Sequence, residues 1–247
     1  MTHCCEAVTC APLNGIKALP NEPSSKFPSS YTENWFKSTF WSKFDFSQIQ
    51  LRKPDIPLDK STTLDIGGRK IELLYLGPAH TEGDMAVYVP DAKVLFAGDL
   101  LFIKGILPHG NQRLMRLGLP IVWGGPFSSW VRILDHFCEM DVDYFVPGHG
   151  HVCSKDDVRD MRDILTFIED TGRKAYAEGE RDPIALAYKT TIPQKWENYG
   201  EQERLVMNFV TFWKEVDPSY KEPQFFDLMC VAGEYHKHLN KTRGYTG

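Results

Sequence analysis

His80, Asp99 and His149 are the residues whose types and settings point most directly to chemistry. His80 stands in Gly77-Pro78-Ala79-His80-Thr81-Glu82-Gly83-Asp84, Asp99 follows Phe96-Ala97-Gly98, and His149 lies in Val146-Pro147-Gly148-His149-Gly150. Each comes after a short apolar run or at the turn closing one, where a sheet would present it to a shared cleft. Neutral imidazoles and a carboxylate suit a borderline-soft divalent cation, and a carboxylate can bridge two such ions. A water on such an ion has its pKa lowered to about 7 and becomes a nucleophile at neutral pH. Singly, each residue is an ordinary polar group at a strand end; their joint order makes a metal site the stronger reading. A pair of ions takes about six to eight protein and solvent donors, and these motifs supply only part of that number.

The elements that must position them follow from the apolar pattern. Short β-branched or aromatic runs at residues 62–66, 70–76, 85–89 and 94–97, separated by Gly67-Gly68 and Pro90-Asp91-Ala92, predict consecutive hairpins. The run Val94-Leu95-Phe96-Ala97 predicts a strand buried on both faces, ended by Gly98, with Asp99 emerging at its tip. Residues 106–125, with Trp123, Arg113 and Arg116, predict a mobile flap or an excursion beside the cleft. Helical spacing through Trp130, Ile133, Leu134 and Phe137 and the run toward Pro147-Gly148 complete a strand, helix, strand unit. Ser154 with Asp157 three positions on starts a further helix, with Val158, Met161, Leu165 and Ile168 on one stripe.

The rest divides by composition. Residues 1–44 form an irregular, proline-bearing arm with an aromatic segment that starts at Trp35 and runs across the boundary to Phe46, residues 45–178 the main domain, and residues 179–247 a helical extension serving as a cap or oligomer contact. A chain of 247 residues that is 42% hydrophobic buries a sizeable core. Its net charge of −5 offers no field for a phosphate backbone, so nucleic acid is not an expected partner. Apolar stretches are short and broken by charges, so neither a membrane span nor a secretory signal is expected, and cytoplasmic residence is the default. Six cysteines, three of them among Cys4, Cys5 and Cys10, do not read as a disulfide framework. A small metal cluster of His3 with these thiols is disfavoured against free thiols on a loose terminus, because adjacent Cys4 and Cys5 cannot easily grip one tetrahedral ion.

Over residues 45–152 the chain resembles the metallo-β-lactamase-fold hydrolases, on His80-Thr81-Glu82-Gly83, Gly98-Asp99-Leu100-Leu101-Phe102 and Gly148-His149-Gly150. The resemblance implies an α/β fold, an αβ/βα sandwich holding one or two metal ions, usually zinc, at an edge of its paired sheets. It further implies His80, Asp99 and His149 as metal ligands, with Asp99 bridging the ions and central to catalysis, and Thr81 and Asp84 hydrogen-bonding behind His80. The implied reaction is attack of a metal-bound hydroxide on an ester, thioester, lactone or lactam of a small-molecule substrate. The family's His-x-His-x-Asp-His signature does not occur in this sequence, where Thr2-His3 continues as Cys-Cys-Glu. A fold incomplete in its N-terminal half is therefore expected, with one sheet partly uncovered. Two readings stay open: a metal-dependent hydrolase, or a catalytically inactive homologue acting in binding or assembly, either one monomeric or a homo-oligomer.

Overall fold

The computed structural model describes residues 10–12, 55–103, 106–109, 113–116, 118–197 and 199–242. The Trp35–Phe46 segment, most of the proline-bearing arm and the His3, Cys4 and Cys5 group lie outside these residues. The chain divides into two compact units, Met1–Asp59 and Lys60–Gly247. In the first, β1 (Cys10–Pro12) pairs in parallel with β2 (Ile56–Leu58).

The second unit carries a five-stranded sheet whose order follows the sequence apart from one crossover. Strands β3 (Thr62–Ile66), β4 (Arg69–Leu74), β5 (Ala86–Val89) and β6 (Val94–Phe102) form an antiparallel meander, as the hairpin pattern predicts. The excursion then follows as a hairpin of β7 (Ile106–His109) and β8 (Arg113–Arg116). Helix α1 (Phe127–Glu139) crosses over to β9 (Tyr144–His149), which lies parallel to β6 at the sheet edge. Pro147 is tolerated there because an edge strand can spare one ladder N–H.

Phe127, Trp130, Ile133, Leu134 and Phe137 recur on one face of α1 and are all buried. Helix α2 (Lys155–Ala177) starts where predicted, with Ser154 donating its backbone N–H to Asp157 Oδ2 at 2.9 Å. Its buried stripe of Val158, Met161, Leu165 and Ile168 packs with α1 into the core over one face of the sheet. Leu95, Ala97 and Phe145 meet that core, whereas Phe96, in register with Val146, is 46% exposed. The expectation of a strand buried on both faces is corrected for Val94–Ala97, where burial alternates because the helical layer formed by the described residues covers that stretch on one side, whereas Leu100, Leu101 and Phe102 further along β6 are all buried. Gly98 does not end the strand either. It sits at a bulge with φ of 55°, and β6 continues to Phe102, so Asp99 projects from within the strand.

The C-terminal helices are α3 (Pro183–Lys189), α4 (Arg204–Val216) and α5 (Phe225–Thr242). Leu205, Val206, Met207, Phe209, Val210, Phe212 and Trp213 of α4 are all buried, so this helix is enclosed around its circumference. The Tyr235 hydroxyl donates to Ala187 O at 2.7 Å and fastens α5 to α3. No helix among the described residues is long and apolar enough to cross a membrane.

Cys153 bridges to Phe145 through two backbone hydrogen bonds of 2.9 and 3.0 Å and is 6% exposed. Burial, reinforced by Asp157, pushes its thiol up to about 12. At about pH 8 only about one part in ten thousand is thiolate, the species that alkylates. Iodoacetamide is therefore expected to modify exposed Cys230 readily and Cys153 only after unfolding, as read by peptide mass spectrometry. Prompt modification of native Cys153 would contradict this burial.

Candidate metal centre

Asp99 reaches the site because the β6–β9 register slips twice, between Phe96 and Gly98 and between Gly98 and Phe102. The slip draws Gly148 of β9 against the Gly98 backbone and the Asp99 carboxylate. A Cβ at position 148 would collide with Asp99 Oδ1 and meet Gly98 C and O at 2.5 and 2.6 Å, so only glycine permits this approach. His149 follows immediately, and its ring stacks on Phe102 at 4.4 Å between centroids and 14° between planes.

His80 arrives from the β4–β5 connection. Its Nδ1 lies 2.7 Å from the Ile121 carbonyl. A carbonyl oxygen only accepts, so in the neutral ring Nδ1 carries the proton and Nε2 keeps its lone pair. That Nε2 faces Asp99 Oδ2 at 4.0 Å, while His149 Nε2 faces Asp99 Oδ1 at 3.7 Å. Each carboxylate oxygen thus confronts a different imidazole. Side-chain exposure is 13% for His80, 47% for Asp99 and 48% for His149, so the group opens to solvent on the Asp99 and His149 side.

The structure therefore gathers all three residues singled out by the sequence. It sets Thr81 and Asp84 differently from hydrogen-bond partners of His80: they bond each other, Thr81 N to Asp84 Oδ2 and Thr81 Oγ1 to Asp84 Oδ1, both at 2.7 Å. These bonds close the loop just after His80. Burial raises the Asp84 carboxyl above the usual carboxylate range, against the two Thr81 hydrogen bonds and nearby His80, which lower it. His151 is exposed.

Nε2 of a neutral His80 and the Asp99 carboxylate are both acceptors, and two acceptors turned toward one another are most stable with a cation between them. Two donors of a tetrahedral ion with bonds of about 2.0–2.2 Å stand about 3.3–3.6 Å apart, so 3.7 and 4.0 Å need only small side-chain adjustments. The fit is partial. The His80–Asp99 pair and the Asp99–His149 pair each provide two of four positions, and among the described residues no group of three or more His, Cys, Asp or Glu side chains closes around one point.

Residues 118–125, the end of the predicted flap, form a strap that is buried from 118 to 122 and surfaces at Trp123. Leu119, Ile121 and Val122 are buried, and Trp123 N and Gly124 N donate to His80 O at 2.8 and 3.1 Å. Neither the Ile121 carbonyl nor the Phe102 ring was legible as a site group. The one sequence signal pointing this way is a lone Asn208 inside the apolar run Leu205-Val206-Met207-Asn208-Phe209-Val210, since a buried amide must find partners.

A sequence profile of the metallo-beta-lactamase superfamily matches residues 28–149. The alpha subunit of 2,4-dinitroanisole O-demethylase from Nocardioides sp. (strain JS1661) is 31% identical over 86 residues, 35% of this chain and 23% of that protein. A type 2 metallo-beta-lactamase of Pseudomonas aeruginosa is 29% identical over 102 residues, 40% of this chain and 34% of that one. The chain spans less than half the length of these curated relatives. Among solved structures, the stereoselective inverting sec-alkylsulfatase of Pseudomonas sp. aligns with a TM-score of 0.49 at 17% identity, covering 68% of this chain and 27% of that chain.

Proposed function

Because the chain belongs to the metallo-β-lactamase superfamily, we propose that it is a metal-dependent hydrolase of a small-molecule ester, thioester, lactone or lactam. The observation that carries this is the Asp99 carboxylate with one oxygen turned to each imidazole. Zinc, as one or two ions, suits this donor set, with His80 and Asp99 on one side and Asp99 and His149 on the other. When bound, such an ion supplies Lewis-acid polarisation of a substrate oxygen and acidifies a water. The chain's own residues do the rest. Ile121 O holds the proton of His80 on Nδ1, leaving Nε2 to donate its lone pair. Phe102 fixes the plane of His149 from behind, and the Thr81–Asp84 bonds keep the His80 loop closed. The half-exposed Asp99 and His149 leave an open approach for substrate. An O-demethylase and a β-lactamase among the relatives act on unlike groups, which supports leaving the substrate class broad. Free Cys138, Cys153 and Cys230 support a reducing compartment such as the cytoplasm.

A second reading, an inactive homologue acting through binding or assembly, is favoured by the absence of any converging group of three donors among the described residues.

Elemental analysis of protein purified without chelator, together with hydrolysis of chromogenic ester, thioester and lactam substrates, separates the two. One or two ions per chain, and a rate lost on chelation and restored by zinc, are expected. A folded protein that takes up no zinc, manganese or iron and hydrolyses nothing would end the hydrolase reading in favour of the second.

A further inference from the structure

Helix α4 bears a polar row, Arg204, Asn208 and Thr211, spaced so that all three lie on one face. That row reads the strap peptide by peptide. Arg204 Nη1 donates to Leu119 O at 2.7 Å, Asn208 Nδ2 donates to Pro120 O at 2.9 Å, and Thr211 Oγ1 donates to Val122 O at 2.8 Å. Asn208 Oδ1 in turn accepts from Val122 N at 2.9 Å. Of the four successive carbonyls from Leu119 to Val122, α4 takes three, and the remaining one, Ile121 O, receives His80 Nδ1 at 2.7 Å.

Asn208 is wholly buried, and its amide orientation is unambiguous because one partner can only donate and the other only accept. It grips the peptides on both sides of Ile121, so the direction of the Ile121 carbonyl is set from a helix whose hydrogen bonds go to the strap and not to the imidazole. We propose that Asn208 is a positioning residue: it aims the Ile121 carbonyl at His80 and thereby keeps this histidine in its Nδ1–H tautomer, with the Nε2 lone pair turned toward Asp99. The consequence for metal binding rests on the hydrolase reading; the control of the tautomer does not. Groups that orient a ligating histidine through its other nitrogen typically change metal affinity by about 10–100-fold when removed.

The full chain, stripped of metal, is labelled with 15N in histidine, and long-range 15N–1H correlations at a pH above the imidazole range report the tautomer of His80, assigned by the signals missing from His80→Gln. Wild-type protein is expected to hold Nδ1–H predominantly. Asn208→Ala is expected to shift the population at least about tenfold toward Nε2–H and to weaken zinc binding by calorimetry about 10–100-fold. Tyr235→Phe, which removes a buried hydroxyl bond between α3 and α5, controls for mere loss of stability and leaves the tautomer unchanged. If Asn208→Ala does not fold, Thr211→Val decides, with a smaller shift in the same direction. A wild-type Nε2–H tautomer, or a folded variant whose tautomer ratio stays at the wild-type value, overturns the proposal. A wild-type chain that binds no zinc yet shows the tautomer shift ends the metal reading and leaves Asn208 in its role.

Discussion

Replacing Asp99 by alanine is expected to lower the zinc affinity of the protein by more than about 100-fold, beyond what loss of a merely supporting hydrogen bond does. Asp99 turns one carboxylate oxygen to each imidazole, Oδ2 toward His80 and Oδ1 toward His149. Without it, two neutral histidines with no shared carboxylate remain, and each proposed half-site keeps one donor, too few to hold an ion against water. The side chain is 47% exposed, so truncation leaves no buried cavity and stability should change by no more than about 0.5 kcal/mol. Loss of metal with an unchanged denaturation midpoint would therefore locate the effect in the site. Asp99→Asn keeps the shape but loses the charge and is expected to bind zinc with intermediate strength. Equilibrium dialysis followed by elemental analysis measures both variants. Wild-type stoichiometry in Asp99→Ala would mean that the ion sits elsewhere.

The largest stability loss is expected for Trp130→Ala, about 3–5 kcal/mol. Trp130 is fully buried on α1, and its Nε1 donates to Leu100 O at 3.0 Å. Its ring meets Phe102 edge-on at 6.2 Å and His80 at 6.0 Å. Truncation opens a cavity between helix and sheet, leaves the Leu100 carbonyl without its donor, and removes the wall behind both site rings. Urea denaturation should show a lower midpoint with unchanged slope. Trp130→Phe retains much of the volume but not the N–H, so an intermediate loss is expected. A loss below about 1 kcal/mol for Trp130→Ala would show that α1 is not seated on the sheet as described.

Much of the framework was legible because it depends on local periodicity. The α1 stripe through Trp130, Ile133, Leu134 and Phe137 and the Ser154–Asp157 start of α2 are written within a few turns of chain, and the structure has both. The hairpins from Thr62 to Ala97 follow from short β-branched or aromatic runs and turn residues in the same way. Burial of the strand carrying Asp99 was misjudged because continuous apolarity does not say how many layers will cover it. Phe96 is exposed although nothing in its own neighbourhood requires that. The bulge at Gly98 was also hidden, since a glycine after an apolar run reads equally as a stop or as a φ-positive kink within a continuing strand.

What the sequence by itself determined are the identities and order of His80, Asp99 and His149 and the elements that deliver them, because ligand chemistry and apolar spacing are local properties of the chain. What only the tertiary structure decided is how those groups are held. The Ile121 carbonyl on His80, the Phe102 ring on His149 and the α4 row of Arg204, Asn208 and Thr211 on the strap join residues up to 89 positions apart. A backbone carbonyl has no sequence signature, and a polar residue in a helix finds its partner only once packing has sealed it from water.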